Sequence, residues 1–322
     1  MDSELLRRKF APALAAVDKV IRDSLHSDVA LVRNVAEYIV SSGGKRLRPT
    51  LLTLSANACG YQGTDHYTLA AVVELIHTAT LLHDDVVDES SMRRGRPTAN
   101  AEFGNSASVL VGDFLYSRAF QMMVRLDRMR ILEVLSDATN VIAEGEVLQL
   151  LNCRNPDVDE KRYLDVVRRK TAKLFEASMR LGAIVAGADR ALEDALGDYG
   201  MHLGTAFQLI DDVLDYSGDA TVIGKNLGDD LAEGKATLPL IRAMTQGTPE
   251  QSAAVRHAIT EGGIGDFASI HATIEATGAL AYSRGVAAAE AERAADALSL
   301  LADSADKKSL LQLTTFAVRR SS

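Results

Sequence analysis

Apolar residues recur at helical spacing along almost the whole chain, as at Leu69, Val72, Val73 and Ile76. Intervals of three and four residues place such side chains on one face of a helix. Strand-like alternation is scarce, and the 322 residues include only 6 prolines and no tryptophan. This composition is typical of helical proteins, and the pattern predicts an all-α protein.

Short breaks rich in turn-forming residues separate the helical segments. They fall at 41–44, 94–97, 152–156, 187–189, 217–234 and 247–249. None resembles a linker between domains. The sequence therefore predicts a single domain over residues 1–322, with roughly a dozen helices packed as a bundle.

Charge and cysteine content exclude several classes of protein. The net charge of −9 argues against nucleic acid as a partner, since that needs a basic surface. Cys59 and Cys153 lack CxxC spacing, which indicates a reducing compartment without structural zinc. The first residues do not resemble a signal peptide, and the apolar stretch 69–82 is too short and too polar to span a bilayer. We expect a soluble, cytoplasmic protein.

Two similar segments stand out, LLHDDVVD at 81–88 and QLIDDVLD at 208–215. Positions i and i+4 share a helix face, so Asp84 lies beside Asp88, and Asp211 beside Asp215. Like charges at this spacing destabilise a helix, and Mg2+, which takes carboxylate and phosphate oxygens, would offset that repulsion. A solvated acidic face is the simpler interpretation of one such segment. Two copies, each inside an apolar helix, predict two facing magnesium sites that bind a diphosphate.

Basic residues near both acidic segments supply the cations that a diphosphate needs. GGKRLRP at 43–49 is a glycine-opened loop leading into a helix start, where backbone N–H groups and the helix dipole favour anions. A lone cation is usually an ordinary surface residue, but clustering favours a binding role for Lys45, Arg48, Arg93 and Arg94. His77, two turns before Asp84, fits a ligand and a buried structural histidine almost equally well.

Several stretches resemble, in order, the motifs of the trans-polyprenyl diphosphate synthases. They are GGKRLRP, LLHDDVVDESSMRRGRPTAN, KTAKLF, GTAFQLIDDVLDY and GKNLGDDLAEGKATLPLI. SVLVGDFLYSRAFQMM and VIAEGEVLQL are similar to the long-chain bacterial branch that makes octaprenyl diphosphate for the side chain of ubiquinone or menaquinone. The resemblance implies an isoprenoid-synthase-type helical bundle around a central cavity, assembled as a homodimer. It also implies transfer of an allylic group to isopentenyl diphosphate by ionisation, condensation and elimination.

The resemblance also implies roles for individual residues. It assigns about three Mg2+ ions per active site to Asp84, Asp88 and Asp211, supported by Asp85, Asp212 and Asp215. It assigns isopentenyl diphosphate to Lys45, Arg48, His77 and Arg94. It assigns the allylic diphosphate to Arg93, Lys170, Thr171, Gln208, Lys225 and Lys235.

Small residues before the first aspartate segment bear on product length. Ala79 and Thr80 precede Asp84 by five and four residues, and an aromatic residue there would block the growing product early, as in short-chain relatives. The pair therefore predicts a long product, which favours transient membrane contact. Candidates for the floor of the product tunnel, each also compatible with plain core packing, are Phe120, Met122 and Met123.

Three other interpretations remain at this point. The product could be nonaprenyl, decaprenyl or shorter. A terpene cyclase also uses an aspartate-rich helix, but it does not need the cations of GGKRLRP and Arg93-Arg94 to bind a second diphosphate. A non-catalytic subunit of a heteromeric synthase would typically lack the aspartates, and both sets are present here.

Overall fold

The computed structural model describes residues 3–41, 43–93, 95–217, 228–262 and 267–319. Apart from one two-stranded hairpin and short connections, these residues are helical, so the prediction of an all-α fold is confirmed. Arg94 and Lys225, both assigned to substrate in the sequence analysis, lie outside the described residues.

The chain divides into two compact units. Unit 1 comprises residues 1–137, 177–197 and 298–312, and unit 2 comprises residues 138–176, 198–297 and 313–322. Each unit carries one of the two aspartate segments. The single domain over residues 1–322 stays a prediction.

The described elements up to residue 152 begin in unit 1. They are helices α1 (Ser3–Ser24), α2 (Ala30–Ser41), α3 (Leu47–Ala58) and α4 (Asp65–Val87), the antiparallel strands β1 (Met92–Arg93) and β2 (Arg96–Pro97), and helices α5 (Ala99–Phe103), α6 (Asn105–Val124) and α7 (Met129–Asn152).

The remaining elements belong mainly to unit 2. They are α8 (Glu160–Val167), a π-helical turn (Arg168–Ala172), α9 (Lys173–Ala186), α10 (Arg190–Ser217), α11 (Asp229–Ala232), α12 (Leu238–Gln246), α13 (Pro249–Glu261), α14 (Phe267–Ala276), α15 (Ala279–Ala297), a 3-10 turn (Leu298–Leu300) and α16 (Ala305–Arg319). The chain passes between the units within α7, α9, α10 and α16, and also between α15 and the 3-10 turn.

The helices end near the breaks that the sequence predicts. The break at 247–249 shows the local chemistry clearly. Thr248 accepts a hydrogen bond from the backbone of Gln251, whose side chain accepts one from the backbone of Thr248. Pro249 follows at the first helical position, where its missing N–H costs nothing. This capping box stops the chain from continuing α12 into α13.

Unit 1 is built around α4, which packs against α1, α3 and α6. Helix α6 approaches α4 closely because Gly112 has no side chain. A Cβ there would lie 2.3 Å from Nε2 of His83. The Ser108 hydroxyl also donates to the carbonyl of Leu82 at 2.9 Å. These contacts fix the end of α4, which carries the first aspartate segment, against α6.

Unit 2 has its own apolar core, formed where α10 and α12 meet the shorter helices of that unit. Fully buried members include Leu209, Ile210, Leu238 and Ile274. Leu209 and Ile210 stand immediately before Asp211, so burial of their side chains holds the second aspartate segment in place. No helix within the described ranges is long and apolar enough to cross a membrane.

Candidate active site

The first aspartate cluster occupies the end of α4. Asp85 is fully buried, whereas Asp84 and Asp88 are half-buried. Asp88 caps the helix, and its N–H donates to the carbonyl of Asp84 at 2.8 Å. The carboxyl end of a helix carries partial negative charge, which adds to the repulsion between the two half-buried carboxylates. The cluster is therefore a favourable place for a cation.

Arg93 holds the buried middle member of this cluster. Its Nε and Nη2 lie 2.8 and 2.6 Å from Oδ1 of Asp85. The chain turns directly after α4, where Glu89 has positive φ (52°) and the Ser90 N–H donates to the Asp85 carbonyl at 3.0 Å. Burial raises the pKa of Asp85, and the guanidinium opposes that rise. The other oxygen, Oδ2, is buried without a hydrogen-bond partner among the described residues. The residue assigned to the allylic substrate thus already binds an aspartate of the cluster.

The second aspartate cluster lies on α10 and repeats this arrangement. Asp212 is only 4 % exposed, whereas Asp211 and Asp215 are half-buried. Tyr163 donates to Oδ2 of Asp212 at 2.5 Å, and the Gln208 amide donates to Oδ1 at 2.7 Å. In both clusters the middle carboxylate is bound by neighbouring side chains, and the outer two form a pair four residues apart.

Burial dominates the electrostatics of Asp212. It raises the pKa of this carboxyl to about 8, and the charge of Asp230 adds to the shift. The hydrogen bonds from Tyr163 and Gln208 act in the opposite direction. Burial, and then the nearby Asp212, raises the pKa of the Tyr163 hydroxyl well above its usual range. Tyr163 therefore keeps its proton and acts as a donor at neutral pH.

Lys170 and Thr171 lie in the π-helical turn between α8 and α9. Such turns contain one extra residue and are frequent at functional sites. The Thr171 hydroxyl donates to Oε1 of Gln208 at 3.0 Å, and the Lys170 ammonium forms an ion pair with Glu146 of α7. The structure thus brings together Lys170, Thr171 and Gln208, which the family resemblance assigns to the allylic substrate.

Gly145 lets α7 approach this turn. A Cβ at position 145 would lie 2.7 Å from the backbone nitrogen of Lys170 and 2.9 Å from Cβ of Arg169. Backbone cannot give way as a flexible side chain can, so we expect Gly145→Ala to push the two elements apart. The substitution should lower the free energy of unfolding by about 1–3 kcal/mol and should also reduce turnover. Chemical denaturation and steady-state kinetics measure the two effects.

Gly285 supplies the matched control for that substitution. It is also a helical glycine of unit 2, in α15, but its Cβ would have nothing within 4 Å. Gly285→Ala should therefore stabilise the protein by about 0.5–1 kcal/mol with turnover unchanged. Equal effects of the two substitutions would contradict the close-approach explanation.

Glu290 of α15 fastens the π-helical turn to α10. Its side chain is only 2 % exposed, and it pairs with His202 of α10 at 2.5 Å, Arg293 at 2.8 Å and Arg168 of the turn at 3.4 Å. Burial raises the pKa of Glu290, but the hydrogen bond with His202 and the charges of the two arginines outweigh it and leave the pKa below its ordinary value. One buried carboxylate therefore links the two elements that carry Thr171 and Gln208.

The segment after the second cluster returns to Asp215. The backbone N–H of Gly228 donates to the Asp215 carbonyl at 3.0 Å, and that of Asp230 to Oδ2 at 3.2 Å. Lys235, assigned to the allylic substrate, forms an ion pair with Glu233. Lys235, Asp230 and Glu233 therefore lie in one short stretch of unit 2, which is hydrogen-bonded to Asp215.

The basic loop of unit 1 lies at the start of α3, as the sequence predicts. Lys45 is exposed and Arg48 half-buried in the first turn. Arg46 has positive φ (48°) and pairs with Glu74 of α4 and, at 3.6 Å, with Asp18. His77 is half-buried on α4. It lies two turns before Asp84, on the same face of the helix.

The outer aspartates fit Mg2+ by their chemistry. Each pair offers hard carboxylate oxygens four residues apart, and Mg2+ completes such a shell with waters and substrate phosphates rather than with a full set of protein ligands. No three acidic, histidine or cysteine side chains of the described residues gather closely enough to hold a metal alone. Asp84 and Asp88 would hold metal in unit 1, and Asp211 would hold metal in unit 2.

Sequence reasoning missed several residues that the structure places in these networks. Glu146 contacts Lys170 directly, and Tyr163 reaches Gln208 through Asp212. His202 and Glu290 join the two helical elements that carry Gln208 and Thr171. Their partners are far away in sequence, so no local pattern marks them. Only Tyr163 had an indirect signal, since it stands eight residues before Thr171 in the same helical stretch.

An all-helical chain with two aspartate clusters and a basic helix start has the features of an enzyme that acts on diphosphates with the help of divalent cations. The sequence model of the polyprenyl synthetase family matches residues 29–274. The chain belongs to the polyprenyl synthetase family and is a prenyltransferase.

Individual relatives are similar to this chain along almost its full length. The chain is 52 % identical over 321 residues to octaprenyl diphosphate synthase of Escherichia coli K12, covering 99 % of each chain. It is 48 % identical over 311 residues to the all-trans-nonaprenyl-diphosphate synthase (geranyl-diphosphate specific) of Rhodobacter capsulatus, covering 96 % of this chain and 95 % of the relative. The polyprenyl synthase of Caulobacter crescentus CB15, crystallised with calcium and isoprenyl diphosphate, superposes with a TM-score of 0.95 at 44 % identity, covering 100 % of this chain and 98 % of that one.

Proposed function

We propose that this protein is an octaprenyl diphosphate synthase. It would condense an allylic diphosphate, such as farnesyl diphosphate, with several molecules of isopentenyl diphosphate, and its product would become the side chain of ubiquinone or menaquinone. The observation that carries this proposal is the matched construction of the two aspartate clusters, in which the middle carboxylate is buried and bound and the outer pair is half-buried. Full-length similarity to an octaprenyl diphosphate synthase favours that product length.

The aspartate clusters would bind the Mg2+ ions, about three in number, that accompany the allylic diphosphate. The bound metal would neutralise the leaving diphosphate and so ease cleavage of the allylic C–O bond. Lys170 and Lys235 would exchange their present partners, Glu146 and Glu233, for the diphosphate. Lysine suits this exchange because it is a mobile point charge.

The second substrate would use the cations of unit 1. Lys45 and Arg48, at the start of α3, would bind isopentenyl diphosphate together with His77 and Arg94. Its double bond would attack the allylic carbocation and leave a new carbocation, and loss of a proton from the adjacent carbon would form the new double bond. The motifs contain no obvious protein base, so the released diphosphate would accept that proton. Thr171 and Gln208 would stabilise the positive charge through their oxygen dipoles.

Product length would depend on the wall of α4. Ala79 is fully buried there, and Met123 is fully buried on α6, the helix that packs against α4. Thr80 is half-buried, with its hydroxyl bonded to the carbonyl of His77. Small side chains at 79 and 80 would leave a path for the growing chain, and Met123 would help to close it.

The assembly would be a homodimer. Val147, Leu150 and Leu151 lie on one face of α7 and are 57 %, 60 % and 69 % exposed. Apolar side chains grouped in this way commonly mark a protein interface. The long apolar product would also favour transient contact with a membrane surface in the cytoplasm.

Product analysis tests the proposed function. The purified protein, supplied with Mg2+, farnesyl diphosphate and radiolabelled isopentenyl diphosphate, should yield a product that co-migrates with octaprenyl standards after dephosphorylation and chromatography. A nonaprenyl or decaprenyl product would change the assigned chain length but not the type of reaction. Absence of any product from the folded, isolated protein would favour the non-catalytic subunit.

A further inference from the structure

A chain of three hydrogen bonds runs through unit 2 from α8 to the π-helical turn. Tyr163 donates to one oxygen of Asp212 at 2.5 Å, and Gln208 donates to the other at 2.7 Å. Thr171 donates to the opposite end of the Gln208 amide at 3.0 Å. Tyr163 and Asp212 are both buried, so water does not substitute for these partners.

The direction of each bond follows from the chemistry of the groups. The oxygen of Asp212 that faces Gln208 accepts, so the amide must present its nitrogen there and its oxygen to the other side. An amide oxygen only accepts, so the Thr171 hydroxyl must donate to it. The lone pairs of the Thr171 oxygen are thereby turned away from Gln208 and are available to a positive charge.

Tyr163 secures this direction. Its hydroxyl donates to Oδ2 of Asp212 and so holds the carboxylate with Oδ1 facing the amide nitrogen of Gln208. Without the hydroxyl, the carboxylate could rotate and withdraw Oδ1 from that nitrogen. The amide could then turn over, and Thr171 would accept rather than donate. Tyr163 touches neither end of that amide, yet it determines which end Thr171 meets.

We propose that Tyr163 is a positioning residue of the prenyl transfer reaction, which acts through Asp212 and Gln208 to keep the Thr171 oxygen turned towards the developing allylic cation. This inference rests on the proposed function. It assigns to Asp212 the anchoring of an amide, whereas its neighbour Asp211 would bind metal.

Tyr163→Phe tests the inference because it removes only the hydroxyl. Single-turnover condensation, with enzyme in excess over farnesyl diphosphate, isolates the chemical step from product release. We expect its rate to fall on the order of ten- to a hundredfold, the usual effect of a misplaced catalytic group, with the KM values of both diphosphates unchanged. Tyr282→Phe is the matched control, since Tyr282 also donates to a carboxylate in unit 2, that of Glu160 at 2.8 Å. Its rate should equal that of the wild type.

A double-mutant cycle separates positioning from a general structural effect. Thr171→Val removes the hydroxyl on which Tyr163 is proposed to act, so adding Tyr163→Phe to it should cost less than about twofold. If the rate reductions of the two single variants multiply in the double variant, the inference is wrong. An unchanged rate in Tyr163→Phe alone would also overturn it. If Tyr163→Phe fails to fold by circular dichroism, Gln208→Met enters the same cycle, with the same expectation. A wild-type protein that makes no product would instead refute the proposed function, independently of this cycle.

Discussion

Asp84→Asn should slow product formation at least about a thousandfold, the size expected when a carboxylate that holds a catalytic metal is lost. Asparagine keeps the shape of the side chain but removes the charge that Mg2+ requires. Folding should not suffer. Asp84 repels Asp88 one turn away on α4, so the thermal midpoint of the variant should equal or exceed that of the wild type. Initial rates across a Mg2+ titration and a thermal melt measure both effects.

Asp23→Asn is the control for this experiment. Asp23 is an exposed carboxylate of unit 1 whose partner, Lys19, lies four residues away on α1 at 2.7 Å. Exposed pairs of this kind contribute little to stability, so its loss should leave turnover and its Mg2+ dependence unchanged. Chelation of Mg2+ should abolish the wild-type activity. Wild-type turnover by Asp84→Asn would end the assignment of the first cluster to metal.

Ala79→Tyr should shorten the product to about three or four isoprene units, because position 79 lies only about 7.5 Å along the helix from Asp84. Ala79 is fully buried, so a larger side chain there must occupy space that the growing chain would use. The series Ala79→Val, Ala79→Leu and Ala79→Tyr should shorten the product stepwise. Chromatography of the dephosphorylated products gives the length distribution directly.

Destabilisation alone cannot mimic this result. Overpacking of a core typically costs about 1–3 kcal/mol, which lowers the amount of active enzyme but not the length of what it makes. Ala70→Leu provides the comparison, since Ala70 is equally buried on α4 and, nine residues from Ala79, lies on the opposite face. It should lower stability and retain the octaprenyl product. An unchanged product distribution in Ala79→Tyr would show that Ala79 does not line the product tunnel.

Local periodicity was sufficient to predict most of the fold. Helical spacing identified the all-α class, and turn residues marked the ends of α2, α7, α9 and α12 within a few positions. The spacing of four residues also distinguished the outer aspartates, since it depends only on helix geometry. These features are encoded within a few neighbouring residues, which is why a single sequence suffices.

Partners distant in sequence were not predictable in this way. The contact of Arg93 with Asp85 depends on the turn that follows α4, and the role of Arg93 towards substrate stays a prediction. Nothing near Asp212 in sequence indicates that Tyr163, on another helix, donates to it. Likewise, nothing near Glu290 in sequence indicates that packing buries it beside Arg168, His202 and Arg293. Such pairings depend on tertiary packing rather than on spacing.

The extra residue of the π-helical turn at Arg168–Ala172 has a consequence for how this stretch tolerates change. A chain lacking one residue there could still form an unbroken α-helix, and its sequence would look entirely regular. Each residue of a helix advances the side chains by about 100°, so everything before the deletion would change helical phase relative to everything after it. Tyr163 would then leave Asp212 while Thr171 kept its place. A single deletion in a well-formed helix would thus have the effect of losing the tyrosine.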